Sequence, residues 1–136
     1  MSDAMFAVQD AVYTALAADS GVQALLGSPA RVYDHVPPDA TFPFLTLGAV
    51  QAEGFDTKER VGTRQTVVLH VWSRYRGSRE VKNILSVVHD LLHLGNFAVA
   101  GHELAACRWR SAETLLDDDG LTRHGVAQYE IITQKL

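Results

Sequence analysis

The sequence of 136 residues is poor in the features that cross-link a protein or hold it in a membrane. Its one cysteine, Cys107, can form neither an intrachain disulfide nor a zinc site made of several cysteines, and its apolar neighbours indicate a buried, inert thiol. No apolar run approaches the roughly 18 residues that span a bilayer. The N-terminal segment carries Asp3 and Asp10 but no positively charged start, unlike a signal peptide. We therefore expect a protein that is made and kept in the cytoplasm.

Basic residues are also in deficit. The 12 Lys and Arg residues are outnumbered by 16 Asp and Glu, and the net charge of -4 argues against a dedicated nucleic-acid binder. The charges are unevenly placed, with an acidic run at 117–119 and a basic group in mid-chain that comprises Arg60, Arg64, Arg74, Arg76, Arg79 and Lys82. Each group is either a solvated surface or a site of attraction between neighbouring subunits.

The rest of the composition is that of a globular protein, with 47% hydrophobic and 21% charged residues. A chain of this length can bury one substantial core but hardly two. We therefore expect residues 1–136 to form a single domain.

Apolar residues recur at helical spacing in some segments and alternate in others. Helices are expected at 3–18 and 79–94, with a short helical turn at 22–26. Strands are expected at 31–36, 44–53, 64–75, 104–112 and 123–133. The order α-β-β-β-α-β-β lacks the βαβα alternation of a parallel sheet. We therefore predict an α+β domain, a mostly antiparallel twisted β-sheet with two α-helices packed on one face.

Three details refine this prediction. The strand at 64–75 alternates with fairly apolar residues on both sides, which indicates a central position in the sheet. Gly48 is expected to form a β-bulge in the preceding strand, and Gly95 to close the second long helix. The polar segment 54–63 reads as a flexible connection of the kind that contacts partners.

Residues 89–93 read HDLLH, one substitution away from the HExxH helix of zinc metalloproteases. A helical wheel centres the apolar stripe on Val88 and places His89 and His93 on the polar flank beside Lys82. A catalytic zinc helix would instead aim its histidines into a cleft, with a third ligand and supporting acids. We interpret these histidines as solvent-exposed or interfacial, and a metal-dependent hydrolase that uses His89 and His93 remains the alternative.

No other motif indicates catalysis. The remaining histidines are dispersed without the spacing of metal ligands, and His70 reads as a half-buried strand residue. The acidic run at 117–119 lacks the ligand spacing of a calcium loop and reads as a turn. There is no GxSxG elbow, GxGxxG motif or phosphate loop. The sequence therefore predicts no enzyme, no metal and no cofactor.

Several segments in order resemble the tail-completion, or tail-terminator, proteins of long-tailed bacteriophages and of the gene transfer agents derived from them. The most specific are YDHVP at 33–37, FPF at 42–44, HVWSR at 70–74 with the following Gly77, DG at 119–120 and HG at 124–125. The resemblance runs from the first helix nearly to the C-terminus.

This resemblance implies a structural protein of the virion tail or neck, made in the bacterial cytoplasm. Such a protein caps the tail tube as a hexameric ring and joins it to the head-side connector. Its partners would be its own copies, the tail tube protein and the connector or stopper protein, with DNA passing through the ring. It implies no membrane contact, no specific nucleic-acid binding and no catalytic residue. Another head-tail joining or tube-like structural protein is the alternative.

Ring closure needs contacts between copies, and the uneven charge indicates where to seek them. The candidate contacts are Glu53, Asp56, Lys58, Arg60 and Arg64 in the polar connection, Arg74, Arg76 and Arg79 in the basic group, and Asp117, Asp118 and Asp119 in the acidic tip. Opposite charges on two edges of the domain would align neighbouring copies.

Overall fold

The computed structural model describes residues 2–136. The elements are α1 (Ser2–Ala18), α2 (Ser20–Leu26), β1 (Val32–Tyr33), β2 (Phe44–Gly54), β3 (Gly62–Ser73), α3 (Arg79–Leu92), β4 (His102–Leu116) and β5 (Arg123–Lys135). The predicted α+β class is confirmed, with three helices instead of two. The difference is α2, where Asp19 accepts a hydrogen bond from the amide of Val22 at 3.0 Å and so begins a true helix.

One five-stranded sheet carries the fold, in the order β1-β2-β3-β5-β4. β1 runs parallel to β2, whereas every other neighbouring pair is antiparallel. β3 occupies the centre, as its alternation predicted. The mostly antiparallel sheet is therefore confirmed.

The core lies between the sheet and the helices. In β3 the odd-numbered residues 63–73 are buried, whereas the even-numbered ones are only partly buried. The buried side joins Leu69 to Val8 and Leu16 of α1 and to Ile84 of α3 in one cluster. The helices thus pack on one face of the sheet. None of the helices formed by residues 2–136 packs on the opposite face, which we call the helix-free face.

The β-bulge expected at Gly48 is present. The register between β2 and β3 shifts between Leu47 and Val50. A Cβ atom on Gly48 would lie 2.6 Å from Nε2 of His70 and 2.9 Å from the carbonyl oxygen of Val68. A glycine here therefore leaves room for the imidazole ring of His70 against the backbone of β2.

The helix α3 buries the predicted stripe but ends earlier than predicted. Its buried residues are Val81, Ile84, Val88 and Leu92, and Leu92 is also its last residue. The prediction that Gly95 closes the helix is wrong. Leu94 adopts the left-handed conformation, with φ of 57°, and its amide donates to the carbonyl of Cys107 at 2.7 Å. That hydrogen bond compensates the backbone strain of a non-glycine residue at this position.

Two strands and one connection differ in length from the prediction. β1 has only two residues, because the Arg31 amide turns back to the carbonyl of Leu26 and two prolines follow the strand. β4 extends to Leu116, where it still pairs with β5 although its last residues are exposed on both faces. β2 ends at Gly54 and β3 begins at Gly62, so the loop between them is residues 55–61, shorter than the predicted connection of 54–63.

Gly125 sets the separation between α3 and the sheet. A Cβ atom there would lie 2.8 Å from Cγ2 of Val81 and 3.1 Å from Cδ1 of Leu85. Gly125→Ala is expected to lower the free energy of unfolding by about 1–3 kcal/mol through overpacking, measured by urea denaturation. Gly54→Ala is the matched control, because its added Cβ would meet nothing within 4 Å. Equal losses in the two variants would contradict the close packing at Gly125.

Candidate functional site

The charged residues singled out from the sequence gather at two opposite ends of the sheet. The loop end comprises residues 55–61 and the strand termini beside them. There the amide of Phe55 donates to the carbonyl of Gly62, and the amide of Lys135 donates to the carbonyl of Val61. The tip end comprises the β4–β5 turn, residues 117–122, and the chain that leaves β3 at Ser73. The 12 residues of β3 separate the two ends by roughly 40 Å at about 3.3 Å per residue.

At the loop end, most of the candidate residues bond within the same chain. Arg60 contacts Glu103 at 2.6 Å and donates to the carbonyl of Lys135 at 3.3 Å. Arg64 pairs with Glu53 at 2.8 Å across the β2–β3 ladder, and this pairing raises the pKa of Arg64. These contacts fix the loop against the strand ends. They are exposed ion pairs, so we expect them to contribute little stability individually.

Two further loop residues complete this end. Asp56 accepts a hydrogen bond from the amide of Gly62 at 3.0 Å and so orders the loop from within. Lys58 is exposed. Of the five candidates in this segment, Lys58 is therefore the exposed one that takes part in none of these contacts.

At the tip end, Asp119 organises the turn. Its carboxylate accepts hydrogen bonds from the amides of Leu121 at 2.9 Å and Thr122 at 2.8 Å, and from the Thr122 hydroxyl at 2.7 Å. These bonds, with the charge of Arg74, lower the pKa of Asp119 to about 2. Asp118 is exposed beside it. Asp119 thus has a structural role, whereas Asp118 is presented to solvent.

Of the basic group, Arg74, Arg76 and Arg79 lie at the same end as the acidic tip, whereas Arg60 and Arg64 lie at the loop end. Arg74 donates to the hydroxyl of Thr122 at 3.3 Å, and its guanidinium lies 4.3 Å from the ring centroid of Phe42. Arg76 and Arg79 are exposed nearby. The opposite charges therefore do not lie on two edges of the domain, and part of their attraction is satisfied within one chain.

The helix-free face carries a row of stacked rings beside the tip end. Trp72 stacks on His124 with centroids 3.9 Å apart and donates through Nε1 to the hydroxyl of Thr46 at 3.1 Å. Nδ1 of His70 and Nε2 of His124 are 2.7 Å apart. A hydrogen bond at that distance needs one nitrogen to donate and the other to accept, so at least one of the two nitrogens is unprotonated.

The histidine pair makes stability depend on pH. Burial lowers the pKa of His70, as does the charge of His124. Burial also lowers the pKa of His124, against a weaker opposing effect of Asp117 and Glu113. The unfolded chain thus binds protons more readily. The stabilisation is fully present above the ordinary histidine pKa of about 6.5 and is lost as the pH falls through the lower folded values.

We therefore expect the free energy of unfolding to fall below about pH 6.5, with a slope of at most about 1.4 kcal/mol per pH unit for each additional proton bound on unfolding. Urea denaturation between pH 7.5 and 5 measures this slope. His124→Gln removes one titrating ring of the pair and should flatten the curve. A slope unchanged by His124→Gln would contradict the assignment to this pair.

A second cluster lies where α3 faces β4. The rings of His89 and His93 stack with centroids 4.8 Å apart, and Trp109 meets His89 edge-on at 5.5 Å. Nδ1 of His93 accepts the amide proton of Trp109 at 3.0 Å. Beside them, an open groove of about 390 Å³ is lined by Lys82, Leu85, Ser86, His89, Trp109, Ala112, Glu113 and Thr114. The two histidines thus contact β4 and each other, and His89 also lines the groove.

Residues 2–136 contain no group of three or more His, Cys, Asp or Glu side chains arranged to hold a metal ion. In the same part of the chain, no helix is both long and apolar enough to cross a membrane. Cys107 is buried, and burial raises its pKa to about 12, so its thiol stays protonated.

Sequence reasoning missed two features of this region. It did not bring His70 and His124 together, because these residues are 54 positions apart and their contact depends on the register of β3 against β5. It also missed the exposed end of β4, where Trp109, Leu115 and Leu116 are large apolar residues at the surface. The HG pair at 124–125 was a usable signal, because Gly125 packs under α3 and thereby positions its neighbour His124 on the opposite face.

Comparison with known proteins fits this architecture. Residues 10–134 match the sequence model of a family described as tail completion protein gp17. The tail completion protein gp17 of Bacillus phage SPP1 is 27% identical over 104 residues, which cover 76% of this chain and 77% of that protein. A chain from the virion of a native gene transfer agent particle has a TM-score of 0.87 at 23% identity and covers 96% of this chain and 97% of its own. The structural likeness extends over nearly the whole chain.

Proposed function

Since the chain belongs to the tail completion protein gp17 family and is thus a structural protein of a tail, we propose that it caps the tail tube as a hexameric ring and joins the tube to the head-side connector. Its partners are then its own copies, the tail tube protein and the connector or stopper protein. Its place is the tail or neck of a virion or virus-like particle, with DNA passing through the ring and no base-specific contact.

The observation that supports a joining role is the separation of two charged ends along one sheet. A joining protein must present different surfaces to two partners, one on each side. Here the loop end offers Lys58, and the tip end offers Asp118, Arg76 and Arg79, roughly 40 Å away along β3. Identical copies related by rotation about an axis parallel to β3 would form one ring of loop ends and one ring of tip ends.

A catalytic role is not part of the proposal. The charged residues with the most contacts, Arg60 and Asp119, hold a loop and a turn in place. His89 and His93 contact Trp109 of the neighbouring strand. Each of these groups therefore contributes to the structure of the domain, and a structural role in assembly needs no catalytic residue.

The test is the solution mass and negative-stain imaging of the purified protein, alone and with the tail tube protein. We expect a mass of six chains and rings with six-fold symmetry at one end of each tube, at least when the tube is present. Particles made without the protein should contain separate heads and tails. A protein that stays monomeric and leaves tube ends bare would contradict the proposal.

A further inference from the structure

We infer that the ring closes by strand pairing between copies, in which the exposed end of β4 of one copy pairs antiparallel with the second half of β2 of the next. This inference rests on the proposed ring and adds the contact that closes it. The partner is a second copy of this chain, and the contact is a backbone ladder at the edge of the sheet.

The outer edge of β4 is covered in its first part and open in its last. The amide of Trp109 donates to His93, and the carbonyl of Cys107 accepts from Leu94, so the chain after α3 covers this part of the edge. Beyond the register shift that follows Trp109, residues 111–116 pair only with β5 among the described strands. All six are exposed. This stretch therefore presents an unpaired backbone edge.

The direction of the open backbone groups follows from the ladder. Trp109 is opposite Tyr129 and points its amide away from β5. In an antiparallel ladder this direction alternates residue by residue, so residues opposite 127 and 125 of β5 also point outward. These residues are Ala112 and Thr114. Their N–H and C=O groups are free of β5 and aim away from the sheet.

The other edge of the sheet is open over a matching stretch. β1 covers only the first part of β2, where it pairs with Leu45 and Thr46. The amide of Leu45 donates outward to the carbonyl of Arg31. Leu45 is opposite residue 71 of β3, and every second residue of β3 from there (69, 67 and 65) faces a β2 residue with the same backbone direction. The residues opposite 67 and 65 are Val50 and Ala52, so their N–H and C=O groups also point outward. No strand from residues 2–136 pairs with them on that side.

The strand directions suit a closed ring. β2, β3, β5 and β4 alternate in direction, so β4 runs opposite to β2. Rotation about an axis roughly along the strands preserves these directions, so β4 of one copy meets β2 of the next in antiparallel orientation. The two edges are different surfaces on opposite sides of the sheet, which is the heterologous arrangement that builds rings. The alternation would then continue unbroken from copy to copy.

One register avoids opposing like charges. With Ala112 opposite Ala52, Thr114 lies opposite Val50, and Glu113 lies opposite Gln51 rather than Glu53. The residues at the hydrogen-bonded positions are uncharged, and their backbones would pair at the usual strand spacing of about 4.8 Å. Shifting the pairing by two residues in one direction would place Glu113 opposite Glu53, which is destabilising. Shifting it in the other direction would place Thr114 opposite Gly48, within the β-bulge of β2.

The first test places cysteines at the paired positions, in protein assembled on tail tubes. Ala52→Cys with Ala112→Cys should form disulfides between copies under mild oxidation, because Cα atoms of facing residues lie about 5.5 Å apart. Denaturing gels should show a ladder of covalent species up to six chains. Ala52→Cys with Thr114→Cys, displaced by two residues, and each single variant are the matched controls and should give no ladder.

The second test removes one outward amide. Thr114→Pro lacks that N–H, which does not bond to β5, whereas Thr114→Val keeps it. We expect Thr114→Pro to raise the concentration for half-assembly by about tenfold or more, and Thr114→Val to leave it unchanged. Urea denaturation of both monomers checks that the fold persists. Should the proline variant fail to fold, the cysteine ladder alone decides.

The outcomes separate the ring from its closing contact. Six-fold rings without a ladder, and with normal assembly of Thr114→Pro, would overturn strand pairing and leave the proposed function intact. Normal rings of Thr114→Pro that no longer bind tubes would assign the β4 edge to the tube protein and so overturn self-pairing. A wild-type protein that never forms rings would overturn both.

Discussion

Tyr129→Ala is expected to lower the free energy of unfolding by about 3–5 kcal/mol, measured by urea denaturation. Tyr129 lies in β5 with 1% of its surface exposed and belongs to the core cluster that joins the sheet to both long helices. Truncation would leave a cavity in this cluster that its close-packed members cannot fill. A loss of that size would leave little of the stability of an ordinary domain.

The hydroxyl group of the same residue supplies the control. It is buried without a hydrogen-bond partner among the described residues, and burial raises its pKa. Tyr129→Phe removes this unsatisfied group and keeps the ring, so we expect stability to be unchanged or to rise by about 1 kcal/mol. A clear loss in Tyr129→Phe would show that the hydroxyl is hydrogen-bonded in solution.

Asp118→Lys is expected to reduce the joining of tails to heads about a hundredfold, because placing like charges in a contact costs several kcal/mol. This prediction applies if the tip end meets a partner, as proposed. Asp118 is exposed and lies next to the residue that orders the turn, so its replacement changes the surface charge while the turn is retained. Counting joined particles in micrographs measures the effect.

Asp119→Lys is the informative comparison. It removes the acceptor of three hydrogen bonds in the turn, so it should also destabilise the β4–β5 connection. Lys58→Asp at the loop end gives a charge change of the same size at the other end of β3. Normal joining with Asp118→Lys would remove the acidic tip from the set of partner contacts. Equal defects from Asp118→Lys and Lys58→Asp would indicate that both ends bind partners.

Much of this fold can be predicted from the sequence, because two elements bury one side and expose the other. α3 buries Val81, Ile84, Val88 and Leu92 at helical spacing, and β3 buries every second residue. The end of β4 could not be predicted in the same way. From Arg108 to Leu116 both faces are exposed, so no alternation of burial marks the end of the strand, which the sequence placed at residue 112. Its existence depends on pairing with β5, which is a long-range contact.

The candidate contacts were predictable in type but not in arrangement. Uneven charge pointed to the loop and to the turn, yet it could not show that Arg60 pairs with Glu103, 43 residues away. Nor could it show that Arg74 and the acidic tip share one end through Thr122. Which charges remain for partners is decided by the fold, since residues distant in sequence satisfy some of them first.

The orientation of β3 has a mechanical consequence. A tension between a partner at the tip end and a partner at the loop end would run along the strands. The hydrogen bonds of the β2–β3 and β3–β5 ladders are perpendicular to that direction. The paired residues are spread along the whole length of β3. Such a load shears many bonds together instead of unzipping them one at a time. The sheet would therefore resist mechanical unfolding when the two partners are pulled apart.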